Sequence, residues 1–215
     1  MKRIALTQRV EQVPGYGEKR DCLDQQWARL LISLGYCPVP LANLVDDVAL
    51  YVATLQLDGV ILTGGNDLCD SEGGSNLAPE RDRFEHLLLE VCAERRLPVL
   101  GVCRGLQLMN VHYGGSVTPV HNHVNRRHQV SLAQGFLDGG SRSIHVNSFH
   151  QFGVCDSGRS SQLKATAWAE DGTIEAMVHK SLPQLAVMWH PEREKSCARR
   201  DTLMIQGIFG GGEST

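Results

Sequence analysis

Apolar and polar positions change period several times along the chain, and each change marks an element. Residues 2–8, centred on Ile4, Ala5 and Leu6, read as a first strand. From Asp21 onward Leu23, Trp27, Leu30, Leu31 and Leu34 recur at helical spacing until Gly35 ends the run. Residues 37–41 are a short extended segment punctuated by Pro38 and Pro40, and residues 44–56 a weaker helix. Val60-Ile61-Leu62 is an apolar strand that runs into Thr63-Gly64-Gly65-Asn66-Asp67. Residues 68–78, rich in Gly, Ser and Asp, read as a polar surface loop. Phe84, Leu87, Leu88, Val91 and Cys92 then give a strongly amphipathic helix. Pro98-Val99-Leu100-Gly101-Val102 is a buried strand, followed by a glycine-punctuated helix start at 104–111.

Strand and helix alternate through this first half. Alternation predicts an α/β fold whose central sheet is mainly parallel, with helices on both faces. The second half has a different rhythm. Short strand candidates at 127–132, 143–147, 162–168, 173–179 and 184–188 are separated by turn residues, which predicts some antiparallel strands. A last helix is expected at about 197–209, and the Gly-rich tail should fray. No internal repeat or linker is visible, so residues 1–215 are expected to form a single domain.

Composition narrows the function classes. Apolar residues at 42% suffice for a full core. The net charge is −3 and no basic run exceeds Arg126-Arg127 or Arg199-Arg200, which argues against a nucleic-acid partner. No apolar run approaches the ~18 residues of a membrane span. The start, Met1-Lys2-Arg3-Ile4-Ala5-Leu6, lacks an apolar stretch of signal-peptide length, so a cytoplasmic location is expected. The seven cysteines include no Cys-x-x-Cys pair, which argues against a disulfide framework or a zinc ribbon. Most should be small buried hydrophobes, as Cys92 is on its apolar helix face. One of them invites another explanation.

Gly101-Val102-Cys103-Arg104-Gly105 sits between a buried strand and a helix start. A nucleophile on so sharp a turn needs glycines around it, because the turn leaves little room for side chains. The helix N-terminus favours a thiolate, and the Arg104 N–H is placed to bind an oxyanion. On spacing alone, Cys103 is equally a core cysteine beside a βα turn. His190, at the end of the apolar strand ending Val187-Met188-Trp189, offers a base, and Glu192 can hold its tautomer across Pro191. Such a pair also occurs by chance on many surfaces. Gly64-Gly65 at a strand's carboxyl end would let backbone N–H groups face a ligand, with Gly65 N–H as the second oxyanion donor; an ordinary tight turn is the alternative.

Three motifs, Gly101-Val102-Cys103-Arg104-Gly105-Leu106-Gln107, Gly64-Gly65-Asn66-Asp67 and His190-Pro191-Glu192, together resemble the class I glutamine amidotransferase superfamily, nearest to its free-standing γ-glutamyl hydrolase branch. The resemblance spans nearly the whole chain. It implies a flavodoxin-like fold, a catalytic triad of Cys103, His190 and Glu192, and hydrolysis of a γ-glutamyl amide through a cysteine thioester. It also implies substrate contacts from Gln107 and from the segment Asn147-Ser148-Phe149-His150-Gln151-Phe152, in particular Phe149, His150 and Gln151. Gln107 as a helix-start polar residue and His150 as a surface histidine are the plainer alternatives. The expected partner is therefore a small-molecule γ-glutamyl amide.

The amine half of that amide is less determined. Thr7-Gln8-Arg9, Arg20-Asp21-Cys22-Leu23-Asp24-Gln25-Gln26-Trp27, Gly64-Gly65-Asn66-Asp67 and Glu80-Arg81-Asp82 resemble a bacterial subgroup that removes glutamate from γ-glutamyl-CDP-amidate in capsule phosphoramidate synthesis. Arg9, Arg20 and Arg81 could then meet the diphosphate. Alternatively Arg20 and Asp21 cap a helix, Trp27 is core and Arg81 is a solvated helix-start charge. Other readings are a glutaminase subunit delivering ammonia to a separate synthetase, a hydrolase of another γ-glutamyl amine, or an inactive binding module. His121-x-His123, with His128 and Asp138 near in sequence, has metal-ligand spacing. It falls in a polar stretch at a loop-to-strand boundary, so no metal is expected there, and no cofactor elsewhere. Neither Gly-rich loop ends in the Gly-Lys-Ser/Thr of a P-loop.

Overall fold

A computed structural model of the chain describes residues 1–137, 142–194 and 198–210. Its first half runs β1 (Arg3–Leu6), β2 (Arg9–Gln12), β3 (Lys19–Cys22), α1 (Gln25–Ser33), β4 (Cys37–Pro40), α2 (Val48–Leu55), β5 (Gly59–Leu62), α3 (Pro79–Arg95), β6 (Val99–Val102) and α4 (Arg104–His112). The second half runs β7 (Thr118–Pro119), β8 (Val124–Leu132), β9 (Ser143–Phe149), β10 (Phe152–Gly153), β11 (Leu163–Ala169), β12 (Ile174–His179), β13 (Gln184–Val187) and α5 (Arg199–Phe209). Asp138 and the Gly-rich tail lie outside the described residues, as does the expected start of the last helix at residue 197.

Nine strands form one sheet in the order β4-β1-β5-β6-β13-β12-β11-β8-β9. The first five are parallel, and their order has the pattern of a flavodoxin-like sheet. The remaining four extend that sheet in antiparallel fashion. The chain steps outward from β1 to β4, then back across β1 to β5 and on to β6. Right-handed crossovers therefore put α1 on one face and α2 and α3 on the other. The strands covered on both faces are apolar at every position, as in Gly59–Leu62 and Val99–Val102. No helix among the described residues is long and apolar enough to cross a membrane.

Two features depart from the sequence reading. The first helix starts later than Asp21, because residues 19–22 form the second strand of a β2–β3 hairpin and Asp24 caps the helix by accepting from Gln26 N at 2.9 Å. Asp21 instead accepts two hydrogen bonds from Asn43, from its backbone N at 3.0 Å and its Nδ2 at 2.7 Å. The amphipathic helix α3 also carries two charged residues, Arg81 and Glu85, on its buried side.

The carboxyl ends of β5, β6 and β13 lie side by side at the middle of the sheet. These three ends carry Thr63-Gly64-Gly65, Cys103 and His190 respectively. Ligands of open parallel sheets bind at this edge.

Candidate active site

Cys103 occupies the step from β6 into α4 with φ +54° and ψ −104°. Few non-glycine residues tolerate a positive φ, and such strain is kept where the surroundings enforce it. Here they do. A Cβ at Gly105 would lie 2.3 Å from the Leu62 carbonyl oxygen, and one at Gly101 would lie 2.8 Å from the Gly105 carbonyl carbon. The two glycines let α4 close directly onto β5 and β6. Cys103 N–H is held by the Val187 carbonyl at 2.9 Å, which ties the elbow to β13.

His190 follows β13 and is buried beside Cys103. Its Nδ1 lies 2.7 Å from Glu192 Oε1, so Glu192 accepts the Nδ1 proton and leaves Nε2 for Cys103. A Cβ at Gly64 would lie 2.7 Å from His190 Cε1 and 3.6 Å from Cys103 Cβ, so only glycine fits between thiol and ring. Asn147 clamps the His190 backbone from both sides. Its Oδ1 accepts from His190 N at 2.9 Å and its Nδ2 donates to His190 O at 2.8 Å. Sequence reasoning placed Asn147 in a substrate-binding segment and missed this role, because β9 and β13 are not neighbours in the chain or in the sheet.

The Thr63–Asn66 loop is held from behind by Arg81. This fully buried guanidinium donates to the carbonyl oxygens of Thr63 (2.7 Å), Gly64 (3.1 Å) and Gly65 (2.6 Å). Its Nε pairs with Glu85 at 2.9 Å, and Arg104 in turn pairs with Glu85 and Asp82. With the loop carbonyls facing Arg81, the loop's N–H groups face away from it. Among the described residues, neither Gly65 N–H nor Arg104 N–H donates a hydrogen bond.

Charge separates Cys103 from the other cysteines. Burial acts to raise its thiol, but the adjoining His190 outweighs it and the net direction is down from 9.0. Burial pushes Cys92 up to about 12, despite Arg95 nearby. For His190 burial acts to lower the imidazole, yet the Cys103 thiolate and the Glu192 carboxylate carry it up to about 9. Each shift favours the charged form of its group, so the two favour a thiolate–imidazolium pair. Raising the pH through about 9 removes the imidazolium proton, whereas acid neutralises the thiolate only below the ordinary thiol range. The expected kcat/KM profile is a bell whose alkaline limb lies near 9. Alkylation of Cys103 by iodoacetamide at a pH below that limb should be faster than in His190→Ala, where the cause of the lowered thiol is gone. An alkylation profile unchanged by that substitution would contradict the ion pair.

Comparison with known proteins identifies the lineage. The model of the Peptidase C26 family matches residues 4–192. The chain belongs to the Peptidase C26 family. It is 33% identical to a Campylobacter jejuni protein named γ-glutamyl-CDP-amidate hydrolase, over 89% of this chain and 90% of that one. It is 27% identical to a γ-glutamyl-γ-aminobutyrate hydrolase of Escherichia coli O157:H7, over 90% of this chain and 87% of that one. In fold it resembles a glutamine amidotransferase from Thermotoga maritima, with a TM-score of 0.63 at 15% identity over 96% of this chain and 82% of that one.

In this member of the Peptidase C26 family the expected substrate contacts are placed unequally. Gln107 is buried, and its Nε2 donates to the Phe152 carbonyl at 2.8 Å, so its amide oxygen is the atom left to a ligand. Phe149 packs edge-on against His190 with centroids 5.8 Å apart, beneath the Arg193 guanidinium at 4.7 Å. Gln151 is exposed, and its carbonyl accepts from Val120 N at 2.8 Å. His150 is buried rather than on the surface: Nδ1 faces the Phe152 carbonyl at 2.9 Å and Nε2 faces Glu175 at 3.5 Å. Of the three arginines, Arg81 is committed to the loop and is not a solvated charge. Arg20 pairs with Glu18 on the hairpin at 2.5 Å. Arg9 alone adjoins the site: with Trp27, Gly64, Gly65, Glu192 and Arg193 it lines a cavity of about 300 Å³.

Proposed function

We propose that this chain is a single-domain, cytoplasmic enzyme that hydrolyses a γ-glutamyl amide through a thioester on Cys103. The observation that carries the reading is Cys103 itself, held at φ +54° on the elbow against the His190–Glu192 pair. The thiolate attacks the side-chain amide carbon of the γ-glutamyl group. The oxyanion that forms accepts hydrogen bonds from Gly65 N–H and Arg104 N–H. His190 gives its proton to the departing nitrogen, the carbon–nitrogen bond breaks, and a γ-glutamyl thioester remains. Water then attacks the thioester carbon while His190 takes its proton, and glutamate leaves with the thiolate restored. These steps need no cofactor. Gln107 through its amide oxygen, Phe149 as a wall and Gln151 at the rim contact the substrate, and His150 acts behind them as a positioning residue.

We assign γ-glutamyl-CDP-amidate as the substrate, which would place the reaction in capsule phosphoramidate synthesis. Two things support this. The likeness to the Campylobacter jejuni enzyme covers both chains almost fully. Two arginines, Arg9 and Arg193, also line the cavity beside Gly65 together with Asp24 and Glu192, and a diphosphate on the leaving amine could draw their guanidinium groups from Glu11 and Phe149. A panel of γ-glutamyl-CDP-amidate, γ-glutamyl-γ-aminobutyrate and glutamine, each assayed for glutamate release, tests the assignment. The nucleotide conjugate should give a kcat/KM at least ~100-fold above glutamine, the scale set by losing charged contacts worth a few kcal/mol. Preference for the aminobutyrate amide would replace the leaving group but keep the chemistry. Activity on glutamine only with an added synthetase would replace the reading with an ammonia-delivering subunit.

A further inference from the structure

The antiparallel half of the sheet gathers three imidazoles around one carboxylate. Glu175 on β12 is fully buried. Its Oε1 lies 3.7 Å from His123 Nδ1, 3.5 Å from His128 Nε2 and 3.5 Å from His150 Nε2. None of these atoms has a hydrogen-bond partner, and neither does Glu175 Oε2. His123 and His150 are each 3% exposed. Buried polar atoms are ordinarily paired, and five orphans converging on one point need an explanation.

The far nitrogens of two rings supply it. His123 Nε2 lies 2.9 Å from Asp171 Oδ2, and that carboxylate is fixed by Thr173 N–H donating to Oδ1 at 2.9 Å. His150 Nδ1 lies 2.9 Å from the Phe152 carbonyl oxygen. Each of these nitrogens must donate, so in a neutral ring the other nitrogen presents a lone pair. In neutral rings His123 and His150 thus aim lone pairs at a carboxylate, an arrangement that repels unless a cation, either a proton on a ring or a metal ion, stands between them. A carboxylate on the outer nitrogen is also the arrangement that orients metal-bound imidazoles.

We infer that His123 Nδ1, His128 Nε2 and Glu175 Oε1 form a binding site for a divalent ion of the zinc type. These three atoms lie within 4.8 Å of one another. Ligands about 2.0–2.1 Å from a tetrahedral zinc stand roughly 3.3–3.4 Å apart, near the 3.7 Å and 3.5 Å from Glu175 Oε1 to the two imidazole nitrogens. Two imidazoles and a carboxylate suit zinc and its first-row neighbours rather than calcium or magnesium. A cavity of about 320 Å³ reaches two of the three ligands, His123 and His128; Glu170 and Asp171 line it together with Arg126 and Arg127, and Glu175 lies behind it. The remaining coordination position falls to His150 or to water. His121 is exposed and stays outside the ligand set, which draws instead on Glu175, far away in the chain. The ion would lock the β9–β10 segment behind α4, because the Phe152 carbonyl receives both His150 Nδ1–H and Gln107 Nε2–H.

The test uses the full chain carrying Cys103→Ser, which removes the thiolate at the elbow as a competing ligand and separates this inference from the proposed mechanism. Metal-stripped protein is titrated with Co²⁺ and followed by visible absorption, then with Zn²⁺ by competition. One equivalent should bind with the intense bands of a low-coordinate Co²⁺ site, and Zn²⁺ should displace it. His128→Ala in the same background should weaken binding by more than ~100-fold. Asp171→Ala, at a half-exposed carboxylate whose loss spares the fold, should weaken it by about 10–100-fold. Near-ultraviolet circular dichroism checks that each variant is folded. Binding of less than one equivalent by folded protein, or affinity unchanged in Asp171→Ala, would overturn the site and leave a protonated histidine cluster in its place.

Discussion

Turnover by the Cys103→Ala variant is expected to fall by ~10⁴-fold or more, with the fold intact. Other triad enzymes lose up to about 10⁶-fold without their nucleophile and keep only the roughly 10³–10⁴-fold over uncatalysed reaction that oxyanion stabilisation and binding supply. The side chain lost is small, and alanine inherits the same strained backbone without new contacts. Cys103→Ser should fare no better, because a hydroxyl cannot form the ion pair with His190. The substitution also has a signature apart from rate. Without the thiolate, burial regains ground over Glu192, and the His190 pKa should drop from about 9. Imidazole proton chemical shifts followed against pH would show this. In wild-type protein quenched with acid during turnover, mass spectrometry should find a glutamyl group on the peptide containing Cys103. An alanine variant keeping more than about a hundredth of wild-type turnover would remove Cys103 from the mechanism.

Elements with an unbroken period were legible in the chain itself. The parallel strands Gly59–Leu62 and Val99–Val102 are apolar throughout, and nothing else of that length fits between Gly and Pro punctuation. The β2–β3 hairpin was not legible. Only Val10 in it is buried, so neither a period of two nor one of 3.6 shows above the polar background. The two-residue strands β7 and β10 are too short to carry any period. At the site, residue types at the right spacing suggested Cys103, but spacing could not separate a nucleophile from a core cysteine. The difference lies in a backbone angle and in the close approach of Leu62 to Gly105, both consequences of tertiary packing. Asn147 and Glu175 were beyond reach for the same reason, since their partners come from strands distant in sequence.

Arg81 shows the same limit most sharply, and it carries the second large effect. A charge in the first turn of an amphipathic helix ordinarily meets solvent. Here it lies under the Gly64-Gly65 loop, where burial and the neighbouring Arg104 bring it down to about 10, still charged at neutral pH. Arg81→Met removes five donors and leaves the carbonyls of Thr63, Gly64 and Gly65 without their inward partner. Glu85 keeps Arg104 and the Thr7 hydroxyl but loses one of its two cationic partners. Breaking a buried ion pair on one side costs about 3–5 kcal/mol, and that loss should appear in urea unfolding. The same change frees the loop to turn, so Gly65 N–H no longer faces the oxyanion. Loss of one such donor lowers kcat by roughly 10²–10³-fold, with a smaller effect on KM. Arg81→Lys separates the two consequences. An ammonium keeps the charge opposite Glu85 but cannot span several carbonyls with a planar fork. It should recover more of the stability than of the rate, when both are measured where each variant is fully folded. Full kcat in either variant would show that the loop holds its N–H groups in place without Arg81.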